Sequence, residues 1–214
     1  DLDLMEAGQT LTDITVKAIK GLEEVFQKAQ PDCVLVHGDT TTTFAAALAA
    51  FYAQIPVGHV EAGLRTHNKY SPFPEEMNRK LATALTDLHF VPTQKAKENL
   101  LHEGIEKGKI YITGNTVIDA LLATVRDDYL FSDPQLQEIL NQGQGKTMIL
   151  VTTHRRENIG EPMSQIYQAL TKILEEHQDA YVVFPVHKNP SVRKIVKEKL
   201  KDHPRIYLIE PLDY

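Results

Sequence analysis

A single cysteine among 214 residues excludes a disulfide framework and a thiolate-metal site by count alone. Cys33 lies in the apolar run Cys33-Val34-Leu35-Val36 and reads as a buried strand thiol, in keeping with a reducing cytoplasm. No apolar stretch approaches the ~18 residues of a membrane span. The start, Asp1-Leu2-Asp3-Leu4, has neither the basic flank nor the apolar core of a secretory signal. No block of Lys and Arg stands out: 23 basic residues face 29 acidic ones for a net charge of -6, so no surface field is available to gather a nucleic-acid backbone. A bound phosphate would have to be held locally, by a few basic side chains and helix N-termini. Neither G-x-G-x-x-G nor G-x-x-x-x-G-K-[ST] occurs, which weighs against an NAD-dependent oxidoreductase and a P-loop NTPase. His-Glu-x-x-His is missing as well, and His37, His59, His154 and His187 do not stand at close ligand spacings on one helix, so no metal site is expected.

What is present is ordinary globular material, 42% hydrophobic and 24% charged. Short β-branched runs alternate with helical periodicity, the pattern of a parallel sheet covered on both faces, and place the chain in the α/β class. Strands are expected at 33–37, 56–60, 88–92, 109–113, 147–152, 180–185 and 205–209. Between them, Leu11, Ile14, Ala18, Leu22 and Val25 make one helical stripe, and Ile159, Met163, Ile166, Leu170 and Ile173 another. The stretch 126–146, with Asp127-Asp128, Ser132-Asp133-Pro134 and Gln142-Gly143-Gln144-Gly145, reads as an interlobe connection. Two lobes follow, 1–116 and 117–214. Asp1 precedes a helix with no opening strand, and Tyr214 follows a strand with no covering helix, so both lobes are expected to be incomplete.

Polar clusters fall at the C-terminal ends of the expected strands, the rim where open α/β sheets bind ligands. The first is His37-Gly38-Asp39-Thr40-Thr41-Thr42-Thr43, in which Asp39 or Thr40 can equally be a helix cap. The second is His59-Val60-Glu61-Ala62-Gly63-Leu64-Arg65-Thr66. A third opens a helix with Glu75-Glu76, also explicable as an acidic first turn. Three carboxylates converging on one site would repel one another and furnish both a proton donor and an acceptor. Thr153-His154-Arg155-Arg156-Glu157-Asn158 and Val186-His187-Lys188-Asn189-Pro190 add two His-plus-cation rims suited to a diphosphate.

Taken in order, His37-Gly38-Asp39-Thr40-Thr41-Thr42, His59 to Thr66, Pro72-Phe73-Pro74-Glu75-Glu76-Met77-Asn78-Arg79, Thr153 to Asn158 and Pro185 to Pro190 resemble the non-hydrolysing bacterial UDP-N-acetylglucosamine 2-epimerases over nearly the whole chain. The resemblance implies two Rossmann-like, GT-B-like lobes in a cytoplasmic homodimer. The implied reaction interconverts UDP-GlcNAc and UDP-ManNAc without NAD or metal, by elimination of UDP to 2-acetamidoglucal and re-addition, and feeds cell-envelope polysaccharide synthesis. It implies Asp39, Glu61, Glu75 and His154 as catalytic, and Thr40, Arg65, Arg155, His187 and Asn189 as substrate-binding. Arg155, Glu75 and His187 also match positions that touch a second, activating UDP-GlcNAc in some members. The family's opening basic turn and its C-terminal uridine-gripping region have no counterpart here, so the isolated chain is expected to be inactive. A hydrolysing 2-epimerase, a GT-B glycosyltransferase and a non-catalytic UDP-sugar-binding module stay open as alternatives.

Overall fold

The computed structural model describes residues 2–4, 6, 8–155 and 158–212. It divides into two compact units, Asp1–Ala123 and Thr124–Tyr214, against the 116/117 boundary read from the sequence. Asp1, Tyr214, Arg156 and Glu157 lie outside the described residues. Among the described residues no helix is long and apolar enough to cross a membrane.

The first unit is built from α1 (Leu11–Ala29), β1 (Val34–His37), α2 (Thr41–Tyr52), β2 (Val57–Val60), α3 (Glu75–Leu85), β3 (Leu88–Val91), α4 (Gln94–His102), β4 (Ile110–Ile112) and α5 (Thr116–Thr124). Its sheet is parallel, in the order β1-β2-β3-β4, so each strand pairs with the next in sequence after a helical crossover. Helix α1 starts on a complete capping box, with Thr10 and Asp13 exchanging side-chain and backbone bonds. The alanines of α2 allow close approach: Ala47, Ala49 and Ala50 share one buried cluster with Phe26, Val36, Val57 and Ala82. A second cluster joins Ala62, Val91, Ala96, Leu100 and Ile110.

The second unit contains α6 (Pro134–Gln142), β5 (Thr147–Leu150), α7 (Glu161–Glu176), β6 (Ala180–Pro185), α8 (Pro190–Leu200) and β7 (Ile206–Ile209), again with a parallel sheet, β5-β6-β7. Central strand β6 alternates between two cores, as period-2 side chains must. Ala180, Val182 and Phe184 pack with residues of α7 and α8, while Tyr181 and Val183 pack with Leu136 and Ile139 of α6. Both faces of this sheet are covered, the Rossmann-like arrangement.

All seven expected strands form, most of them a residue or two shorter than the apolar runs. Three expectations are corrected. Cys33 is exposed and precedes β1. Successive side chains of β1 point to opposite faces, so its apolar run is not buried throughout: Val36 packs into the cluster with α1 and α2, whereas Leu35 faces the other way and is 67% exposed. The presumed connection holds a helix, α6, since Asp133-Pro134 is an N-cap followed by an N1 proline as well as a turn signal. The stripe of α7 is rotated from the one expected, with Met163, Tyr167, Leu170 and Leu174 buried and Ile166 and Ile173 exposed.

Gly63 shows how tightly the first unit closes. Its φ is +81°, and a Cβ there would sit 2.4 Å from the Ala96 carbonyl oxygen. Gly63→Ala is expected to lower the unfolding free energy by about 2–4 kcal/mol in urea titration, while Gly108→Ala, with nothing within 4 Å, stays within about 0.5 kcal/mol.

Candidate active site

The rim of the first unit begins where β1 ends. Gly38, at φ +72°, turns the chain back, its N–H donating to the Val60 carbonyl at 3.0 Å. Thr43 sends its hydroxyl to the His37 carbonyl at 2.6 Å. Asp39 follows, and Thr40 caps α2 by accepting from the Thr43 N–H at 3.2 Å. Of the two candidate caps it is therefore Thr40 that spends its oxygen on the helix, leaving the Asp39 carboxylate for other partners.

Where β2 ends, Glu61 adopts the left-handed conformation, φ +64°. A non-glycine residue there costs about 1 kcal/mol or more, a strain found mostly at functional positions. The twist brings Glu61 Oε2 to 3.5 Å from His37 Nε2, beside Gly38, where a Cβ would lie 3.2 Å from the same oxygen.

Helix α3 supplies the rest. Residues at i, i+3 and i+4 share a helix face, and here they are Glu75, Asn78 and Arg79. Asn78 donates from Nδ2 to the Asp39 carbonyl at 2.9 Å. Buried Arg79 donates to both Asp39 Oδ2 and the Glu61 carbonyl oxygen. One guanidinium thus touches two of the three expected residues, Asp39 through its carboxylate and Glu61 through its main chain. The third, Glu75, has its Oε2 buried without a hydrogen-bond partner. Neighbouring Glu76 is fully committed elsewhere, accepting the Thr66 and His67 N–H groups at 3.0 Å each.

Arg65, expected among the substrate-binding residues, is placed differently. Its side chain is 0% exposed. It binds Glu103 through Nε at 2.8 Å and Nη2 at 2.7 Å, and also donates to Thr83 Oγ1 and the Leu64 carbonyl. This bidentate pair ties the segment after β2 to α3 and to the end of α4. The guanidinium also holds the Glu103 carboxyl below its ordinary range.

Behind the rim lie two fully buried histidines, His59 and His89, paired across β2 and β3. Burial pushes each down to about pKa 4, reinforced at His59 by Arg79 and His89 and at His89 by Arg65 and Lys109. His59 Nε2 lies 2.7 Å from the Gly38 carbonyl.

In the second unit, His154 and His187 follow β5 and β6. Their rings stack at 5.4 Å. His187 Nδ1 accepts the Asn189 N–H at 3.1 Å, which leaves Nε2 as its outward nitrogen. Asn189 caps α8 by accepting the Ser191 N–H at 2.9 Å. Arg155 is exposed beside His154. Thr153 shares a 2.7 Å hydrogen bond with the phenol of buried Tyr167. The sequence motifs contain His59, Glu76, Asn78 and Arg79 without assigning them a role, and they omit Tyr167. The helical spacing of Glu75, Asn78 and Arg79 was the one signal that could have found part of this set.

A model of the family described as UDP-N-acetylglucosamine 2-epimerase matches residues 1–214. The chain is 56% identical over 213 residues to the UDP-N-acetylglucosamine 2-epimerase of Bacillus subtilis, covering 100% of this chain and 54% of that protein. It is 50% identical over 218 residues to the Escherichia coli K12 enzyme of the same name, again with 100% of this chain and 58% of that protein covered. Among solved structures, the UDP-GlcNAc 2-epimerase of Neisseria meningitidis bound to UDP-GlcNAc superposes with a TM-score of 0.88 at 45% identity, over 100% of this chain and 58% of that one. The chain thus spans somewhat more than half the length of these relatives.

Acid should expose the buried histidine pair. Unfolded, both rings titrate near 6.5; folded, near 4, so between these values the unfolded chain binds more protons. The stability is fully present above pH 6.5 and drains as pH falls toward 4, by on the order of 3 kcal/mol for each histidine. Urea unfolding across this range is expected to show that decline, and His89→Gln to make it shallower; a flat profile would contradict the assignment.

Proposed function

Because the chain belongs to the UDP-N-acetylglucosamine 2-epimerase family, we propose that the complete polypeptide carrying it converts UDP-N-acetylglucosamine to UDP-N-acetylmannosamine without releasing the nucleotide. Inverting C2 by elimination requires a proton to leave one face of the sugar and another to arrive on the opposite face. The C1–oxygen bond to UDP breaks with loss of the first proton and re-forms with gain of the second, so a base and an acid must both be at hand. The observation that carries this reading is the buried guanidinium of Arg79, which holds the Asp39 carboxylate and the main-chain carbonyl of Glu61, with the Glu61 carboxylate beside His37 on a strained backbone.

Glu75, its buried oxygen without a protein partner, is assigned to the same group as a third acid toward the sugar. In the second unit, His154 and Arg155 are assigned to the departing diphosphate, where positive charge and a donated proton stabilise the leaving group. His187 offers an Nε2 donor next to them, since its Nδ1 is occupied. Thr40 and Asn189 serve as helix caps, and Arg65 braces α3 and α4.

Incubated with UDP-GlcNAc in deuterated water, the complete polypeptide is expected to place deuterium at C2 and to form UDP-ManNAc. Asp39→Asn and Glu61→Gln should each lower the exchange by about 100-fold or more. Free ManNAc and UDP in place of UDP-ManNAc would mark a hydrolysing enzyme. A folded, UDP-binding polypeptide without C2 exchange would overturn the epimerase reading altogether.

A further inference from the structure

The turn at Gly38-Asp39 is held at four polar atoms. Gly38 donates to Val60, the Asp39 carbonyl accepts from Asn78, and the Asp39 carboxylate accepts from Arg79. The carbonyl of Gly38 belongs to the peptide that leads into Asp39, and the group on it is the ring of His59, 2.7 Å away.

An imidazole is an unfavourable choice for this place. The ring is fully buried, its Nδ1 has no hydrogen-bond partner, and β-branched or aliphatic residues suit a covered strand better. What it adds over an aliphatic side chain is one N–H directed at one carbonyl. Kept neutral by burial beside Arg79, the ring carries a single ring N–H proton. A carbonyl can only accept, so that proton stands on Nε2.

We propose that His59 is a positioning residue for the epimerase reaction: through its Nε2–H it fixes the plane of the Gly38-Asp39 peptide, and so the direction of the Asp39 carboxylate oxygen that Arg79 does not hold. The inference rests on the function proposed above for Asp39. His59 touches no substrate; removing its donor lets the turn swing while the charge of Asp39 stays in place. Misplacing a catalytic group by a fraction of an ångström lowers turnover more than it weakens binding.

The test uses the complete polypeptide with His59→Leu, His59→Gln and, as reference, Asp39→Asn. His59→Leu is expected to lower kcat about 10- to 100-fold. Its KM should stay within about threefold, with C2 exchange falling in the same ratio as kcat. His59→Gln, whose amide N–H can reach the same carbonyl, should recover most of the loss. Nitrogen-15 NMR of the unaltered protein should show His59 in the Nε2–H tautomer, with a slowly exchanging ring proton. An Nδ1–H tautomer, full turnover in His59→Leu, or equal losses in both variants that follow their unfolding midpoints would each overturn the proposal. If Asp39→Asn abolishes exchange while His59→Leu does not, only the positioning role fails. If Asp39→Asn leaves exchange intact, the role of Asp39 fails and this inference with it.

Discussion

The guanidinium of Arg79 is the interaction on which the first unit's rim depends. It is buried, and its charge is balanced by Asp39, which keeps about a third of its own side chain open to solvent. A buried charge without its partner costs about 3–5 kcal/mol, so the contact that aims the carboxylate is also the one that keeps α3 seated. With the function proposed for Asp39, stability and chemistry draw on the same bond. A residue serving both ends leaves little room for substitution, because an uncharged replacement for Asp39 would strand the arginine as well as remove an acid.

The other buried arginine of the unit makes the contrast plain. Arg65 has the same chemistry and an equally hidden side chain, but its carboxylate partner is Glu103, so it becomes architecture. The second unit builds its rim from different materials. Two adjacent imidazoles, the Asn189 N–H that orients His187 and the phenol of Tyr167 beneath Thr153 set its side chains by neutral hydrogen bonds. Among the described residues the permanent charge there is carried by exposed Arg155 and Lys188.

Strand positions, and the polar residues that stand at their C-terminal ends, were legible because apolar runs mark where a parallel sheet is buried and the rim follows directly after them. Asp39, Glu61, His154 and His187 all stand at such ends. Helix α6 was hidden because Asp133-Pro134 begins a helix with the same residues that make a turn. The exposure of Cys33 could not be seen from its apolar neighbours, since an apolar run does not tell where the strand begins or which of its faces is covered. The different fates of Arg65 and Arg79 were equally out of reach. Each follows or lies near an acid in the sequence, and only the packing of α3 against β2 decides which guanidinium meets which carboxylate.

Helix α3 gathers an unusual share of the attachments. Glu75 projects its own carboxylate, Glu76 grips the backbone of residues 66 and 67, Asn78 grips Asp39, and Arg79 grips Asp39 and Glu61 together. Asp39 and Glu61 are also anchored by the sheet strands they follow, so α3 acts as a clasp across strand ends: displacing it would break contacts at the turn after β1, at the end of β2 and at residues 66–67 together.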